Sequence, residues 1–112
     1  MKGTIKSKED VERLFSQGRR STSSSMTILV CENEAGTIGR CAFIAGKKLG
    51  PAPFRSRCKR VMREVARSLG APWKGFDVAF LARKPVAHKR HEEIVEQARK
   101  SLLKLGVMDE PR

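Results

Sequence analysis

The chain has no tyrosine, one tryptophan and five phenylalanines in 112 residues. A surface that reads bases mainly by stacking them on rings is therefore thinly supplied. Long apolar runs are missing too: nothing approaches the roughly 18–20 consecutive apolar residues of a membrane-spanning helix. The opening MKGTIKSKED has no apolar segment behind its lysines, so no secretory signal is expected and the cytoplasm is the expected location. Three cysteines, Cys31, Cys41 and Cys58, are an odd number without a C-x-x-C pair. That argues against a disulfide framework or a zinc ligand set, and buried free thiols are expected instead. Acid is scarce, with 12 Asp and Glu against 24 Lys and Arg. Length and a 39% hydrophobic content fit one domain over 1–112, with its core at about 5–105 and a short flexible C-terminal tail.

Basic residues are what the chain does have, and they are unevenly spread. Between Arg40 and Arg67 nine of them face one acid, Glu64, which places eight of the twelve net charges in a quarter of the length. Arg55, Lys59, Arg63 and Arg67 recur every fourth residue. On a helix that spacing stacks them along one side, where like charges repel by about 0.2–0.5 kcal/mol per pair. Such a run implies a polyanion that neutralises it. An anionic membrane or an acidic protein would answer the charge, but nucleic acid is the leading candidate.

Hydrophobic spacing gives the elements. Ser7 offers an N-cap with Asp10 three residues on, and Val11, Leu14 and Phe15 follow at helical intervals. This predicts a short amphipathic helix over 8–17, stopped by Gly18. Apolar, β-branched segments at 26–31 and 37–45 flank a turn at 32–36 and predict a hairpin. A loop over 46–53 carries Lys47 and Lys48, and Pro53 opens a helix running to about Leu69. On that helix Phe54, Cys58, Val61, Val65 and Leu69 fall within roughly 80° at about 100° per residue. Arg55, Lys59, Arg60, Arg63 and Arg67 fill the other side, with Arg57 at its edge. Residues 76–82 read as a strand and 88–105 as a final helix with Ile94, Val95, Ala98 and Leu102 inward. The predicted fold is α+β: a two-layer sandwich of order α-β-β-α-β-α, with helices packed on a small mixed sheet.

The chemistry concentrates in Lys47-Lys48-Leu49-Gly50 and, after a short loop, Arg55-Ser56-Arg57-Cys58-Lys59-Arg60-Val61-Met62-Arg63-Glu64. Lysines on a strand-exit loop and arginines on the next helix can converge on the phosphates of a folded RNA. The planar arginine fork suits bidentate phosphate contact, and lysine acts as a mobile point charge.

This segment resembles the protein subunit of bacterial ribonuclease P. That family's signature is a Lys-Lys-x-Gly loop followed by Arg-Asn-Arg-x-Lys-Arg-x-x-Arg-Glu on a helix. The resemblance extends over roughly residues 5–105: Asp10 to Phe15 is similar to the family's first-helix motif, Arg40 to Phe43 to its central strand, and Phe76-Asp77 through Ala82-Arg83 to its last strand. It implies a protein that binds a large catalytic RNA, together with which it removes 5′ leaders from precursor tRNA. The RNA then performs the hydrolysis with Mg2+, and neither an organic cofactor nor an obligate protein partner is called for. The implied RNA contacts are Arg40, Lys47, Lys48, Arg55, Ser56, Arg57, Lys59, Arg60, Arg63 and Arg67, with no catalytic residue in the protein. A cleft between the first helix and the sheet would hold the single-stranded leader at Val11, Phe15 and Leu29. A left-handed βαβ crossover is also implied, against the usual right-handed preference. Ser56 stands where the family has Asn, and keeps a donor and an acceptor on a shorter arm. Val11 and Leu29 stand where the family has aromatic residues, so leader binding by stacking should rely on Phe15 or give way to charge.

The remaining constellations are weaker. His88 and His91, beside Glu92 and Glu93, would be one helical turn apart but have no third metal ligand, and a surface helix start is the simpler expectation. No carboxylate cluster suggests a protein-based metal nuclease. Ser21 to Ser25 has no G-x-S-x-G context and reads as a polar lead-in to a strand. Trp73 is expected to pack on the core rather than stack on a base. Two other functions compete: a structural RNA-binding protein of ribosomal or chaperone type, and a self-sufficient protein nuclease. Copurifying RNA would separate the first from the favoured reading, and RNA-free activity with Mg2+ would revive the second.

Overall fold

The computed structural model describes residue 5, residues 8–33 and residues 38–108. The Ser7 cap, most of the 32–36 turn and the end of the C-terminal tail lie outside the described residues. Three helices, α1 (Lys8–Gln17), α2 (Ala52–Ser68) and α3 (His91–Lys104), accompany four strands. These are β1 (Arg19–Thr22), β2 (Met26–Glu32), β3 (Arg40–Ile44) and β4 (Phe76–Ala82), ordered β1-β2-β4-β3 in one mixed sheet.

The α+β class and the order of the long elements are as the sequence predicts, but the expected β2–β3 hairpin does not form. Instead β4 lies between them, antiparallel to β2 and parallel to β3, with Leu29 opposite Ala79 and Ala42 opposite Ala79 on the other side. FDVAFLA is the strand buried most completely on both faces, and placing it centrally removes the most apolar area from water. β2 pairs with β1, a strand that hydrophobic alternation misses because Arg19, Arg20, Ser21 and Thr22 include no apolar residue. Its charges and shortness suit an open sheet edge. The Ser23-Ser24-Ser25 turn closes the hairpin, with Ser23 Oγ accepting from the Ser25 and Met26 amides. The parallel β3–α2–β4 unit is the crossover that the resemblance implies.

Period-two alternation splits the core by sheet face. Met26, Ile28, Val30, Cys41, Val78 and Phe80 turn toward α2 and α3 and form the main core with Cys58, Met62, Val65, Ile94 and Leu102. Leu29, Ala42 and Ala79 turn the other way and are covered by Leu14 of α1 and by Ile5. The sandwich therefore gains a small third layer, α1 alone. Ile5 reaches this layer by donating its amide to the Cys41 carbonyl at 2.8 Å, on the open side of β3. Just before β3, Gly39 passes so close to Trp73 that a Cβ there would stand 1.9 Å from the Trp73 carbonyl oxygen.

Two helices differ in detail from the pattern read in the sequence. The buried stripe of α2 is Cys58, Met62, Val65 and Ala66, rotated from the Val61 side because α2 also packs on the segment before α3. α3 begins at His91 rather than His88, since Lys84–Ala87 forms a 3₁₀ turn that buries Val86 and Ala87. His88 thus sits outside the helix, its ring 5.9 Å from Phe54, and is not paired with His91 on a helical face. Trp73 packs half-buried near Phe80, with ring centroids 6.3 Å apart.

Candidate nucleic-acid interface

α2 presents its charge outward. Ser56, Arg57, Arg60, Arg63 and Arg67 are exposed, and Lys47 and Lys48 stand exposed in the 3₁₀ turn Lys47–Leu49 just before the helix. The first turn of α2 contains no acid. The positive end of the helix dipole and the two lysines therefore reinforce one another, a combination that favours a bound anion. Two cations are more constrained. Arg55 is half-buried and donates Nε–H to the Gly50 carbonyl at 3.2 Å, fastening the loop to the helix. Arg63 lays its guanidinium 5.7 Å from the Phe43 ring centroid, a cation–π arrangement that orients the fork while leaving its edge donors open.

Arg40, expected as an RNA contact, is engaged in ion pairs within the fold. It projects from the opposite face of the sheet, where Nε and Nη2 donate to Asp77 at 3.0 and 2.7 Å and Nη1 donates to Asp10 at 2.9 Å. Asp77, whose side chain is 0% exposed, also accepts from Arg13 Nη2 at 2.8 Å and Asn33 Nδ2 at 3.2 Å. A buried carboxylate needs such partners to remain charged. Burial pushes Asp77 up, but hydrogen bonds from Arg40 and Asn33 and the charges of Arg40 and Arg13 outweigh it, leaving the group below its ordinary value. Arg40 is raised by its Asp77 hydrogen bond and stays charged. The network ties α1, through Asp10 and Arg13, to β3 and β4. An aspartate inside the apolar run of β4 was the sequence signal for it.

One consequence of this tie is a cleft of about 340 Å³ at the open edge of β3. Val11 and Ile5 form one wall and Ala42 and Ile44 the floor. Phe43, Arg63 and Arg67 form the wall on the α2 side. The structure thus brings together Val11, expected for the leader, and two arginines expected for the catalytic RNA. Phe15 lies one helical turn beyond Val11 and is 40% exposed, but it does not line this cleft. Leu29 is 0% exposed, packed beneath α1 with Leu14 and Ala79. It supports the surface from below and cannot touch a ligand, because α1 covers it. Ile5, Ala42 and Ile44 are absent from the expected set, since as isolated apolar residues they carry no binding signature.

The other reactive groups are occupied. Burial pushes the Cys41 thiol up to about 12 and raises Cys58 as well, so both stay protonated at neutral pH. Ser21 bonds Ser101 and Ser25 bonds Gln97, which pins β1 and its turn to α3. Among the described residues no group of three or more His, Cys, Asp or Glu side chains is placed to hold a metal ion. Among those residues, too, no helix is long and apolar enough to cross a membrane.

Known proteins agree with this architecture over most of its length. A ribonuclease P protein component from Symbiobacterium thermophilum is 32% identical over 105 residues, covering 84% of this chain and 89% of that protein. One from Natranaerobius thermophilus is 34% identical over 106 residues, covering 89% and 90%. The solved RNase P protein of Staphylococcus aureus superposes with a TM-score of 0.80 at 23% identity, covering 97% of this chain and 100% of that one. That of Thermotoga maritima gives 0.73 at 21% identity, covering 96% and 98%. These two structures bear on the fold. The sequence model described as Ribonuclease P matches residues 2–106, and on that match the chain belongs to the ribonuclease P protein family.

Proposed function

We propose that this chain is the protein subunit of a ribonuclease P holoenzyme, binding the catalytic RNA and the 5′ leader of precursor tRNA while the RNA cleaves the leader. The observation that carries this reading is the outward cationic face of α2. Arg57, Arg60, Lys59 and Ser56, with Lys47 and Lys48 before the helix, form a surface for RNA phosphates at the positive end of a helix dipole. Their task is to bind and orient. Bidentate arginine contacts fix the register of the two molecules, and the lysines add charge that tolerates imperfect geometry. On the other side of the sheet, the surface beside α1 takes the single-stranded leader, with Phe15 as its exposed ring and Val11 as apolar wall. Binding the leader there adds affinity that mature tRNA lacks, and so favours substrate over product. The described residues do not fit a metal site, so Mg2+ is assigned to the RNA and no step passes through the protein's carboxylates.

The test is reconstitution with the cognate catalytic RNA and one precursor tRNA at low Mg2+. A single cut at the mature 5′ end, absent when either the RNA or the protein is omitted, is the expected outcome. Cleavage by the protein alone, surviving nuclease treatment of the preparation, would identify a protein nuclease. Copurification of bulk ribosomal RNA without any stimulation of cleavage would identify a structural RNA-binding protein.

A further inference from the structure

Helix α1 is 10 residues long and buries one side chain, Leu14. A helix so short has little stability of its own, so its place and orientation come from what it touches. Backbone ties hold it at both ends. Before it, the Ile5 amide bonds the Cys41 carbonyl at 2.8 Å; after it, the chain enters β1 through Gly18 alone. Neither these ties nor the burial of Leu14, which is non-directional, fixes the rotation of α1 about its own axis. At about 100° per residue, Asp10 and Arg13 lie on one flank of Leu14, and Val11 and Phe15 on the other. Rotation therefore decides where Val11 and Phe15 point.

Asp77 supplies the missing constraint. Each of its oxygens accepts twice: Oδ1 from Arg40 Nε and Asn33 Nδ2, Oδ2 from Arg40 Nη2 and Arg13 Nη2. That uses the roughly four acceptor positions of a carboxylate. The paired contacts to Nε and Nη2 fix the plane of the Arg40 guanidinium. Its Nη1 is thereby aimed at one place, which Asp10 occupies at 2.9 Å. Arg13 and Asp10 are thus attached to β3 and β4 about one helical turn apart, on the same flank of α1, which keeps the helix from rolling. A carboxylate repels a polyanion, so neither aspartate is suited to touch RNA itself. We propose that Asp77 and Asp10 are positioning residues for substrate selection, holding α1 in the rotation that presents Phe15 to precursor tRNA. The proposal rests on the reading of the chain as a ribonuclease P subunit with its leader surface beside α1.

The test compares variants in the holoenzyme reconstituted with the cognate catalytic RNA. Asp10→Ala puts a strong helix former into α1, so the protein should fold as wild type does while losing the tie to Arg40. Its KM for precursor tRNA should rise about fivefold, the low end of what one stacked base is worth. Its kcat, its affinity for mature tRNA and its affinity for the catalytic RNA should stay as they were. Hydrogen exchange of the α1 amides should quicken, and that of α3 should not. Asp10→Glu, whose carboxylate still reaches Arg40, should recover most of the loss, and Asp77→Asn should raise KM further than Asp10→Ala. Ile94→Val is the control for stability alone, since Ile94 belongs to the core on the far face of the sheet from α1. It should leave the precursor KM at the wild-type value. An unchanged KM in Asp10→Ala, an equal rise in Ile94→Val, or no recovery in Asp10→Glu would overturn the positioning role. Should Asp77→Asn fail to fold, the three Asp10 and Ile94 variants still decide it. A wild-type holoenzyme that binds precursor and mature tRNA equally would instead remove the leader surface, and the positioning role with it. That result is distinct from a wild-type preference that the variants keep.

Discussion

Arg40 and Asp77 meet side-on, Nε to Oδ1 at 3.0 Å and Nη2 to Oδ2 at 2.7 Å, joining adjacent parallel strands on the face that α1 covers. Asp10 and Arg13 extend this pair into α1. Replacing Asp77 by Asn removes the charge that both arginines share. Loss of one partner from a buried pair costs about 3–5 kcal/mol. Arg13 and Arg40 are each about one-third exposed and can rehydrate, so about 2–3 kcal/mol is expected here. The pH dependence has a definite sign. Asp77 titrates lower in the native state than in the unfolded chain, so its stabilisation is complete above the unfolded value of about 4. It is lost as pH falls through the native value. The stability gap between wild type and Asp77→Asn, from urea melts at several pH values, should be flat near neutrality and shrink only below about pH 4. A gap independent of pH down to 2 would show that the charge contributes nothing.

Thiol reactivity checks the burial of the core. At pH 8 the native protein should take one alkyl group, on half-buried Cys31, while Cys41 and Cys58 stay protonated and covered. Three adducts should appear by mass spectrometry in denaturant. Rapid native labelling of Cys58 would contradict the packing of α2 on the sheet.

Much of this arrangement was legible in the sequence, and the exceptions have physical causes. Helical spacing placed α1 and α2, because each has a clear apolar stripe and a terminating glycine. Charge placed the α2 face. Strand pairing was not legible: hydrophobic runs identify β2, β3 and β4 but not which neighbours which, and the adjacent runs at 26–31 and 37–45 mimic a hairpin. The ion pairing of Arg40 was hidden for a related reason. Within a basic stretch this residue looks like one more phosphate contact, and only the fold brings Asp77 from 37 residues away to claim it. Leu29 occupies a position read as ligand-facing, yet α1 sits on it. The β3-edge cleft was invisible because its walls come from residue 5, α1, β3 and α2.

Phe15 tests the leader surface. Its ring is 40% exposed, so Phe15→Leu should cost the fold less than about 1 kcal/mol. Affinity of the holoenzyme for precursor tRNA should fall by up to about 1–3 kcal/mol, the worth of one stacked base, while mature tRNA is bound as before. Equal losses for both ligands, or a large drop in Tm without selectivity, would make Phe15 a packing residue.

Gly39 tests the close approach beside β3. Its missing Cβ is the space occupied by the Trp73 backbone, so Gly39→Ala should destabilise the protein by about 1–3 kcal/mol as β3 and the Trp73 loop are forced apart. Chemical denaturation measures it, and an unchanged midpoint would mean that the loop yields freely.

The central claim is that the α2 face holds the catalytic RNA through its phosphates. The most direct test is the affinity of that RNA for wild type and for the Arg57→Ala/Arg60→Ala variant across a series of salt concentrations. Each phosphate contact releases counterions, with a slope of up to about −0.9 in log affinity against log salt. The variant should bind more weakly at low salt, with a slope shallower by about one to two units, and melt at nearly the wild-type temperature because both residues are exposed. Unchanged affinity and slope would place the RNA on another surface and contradict the account.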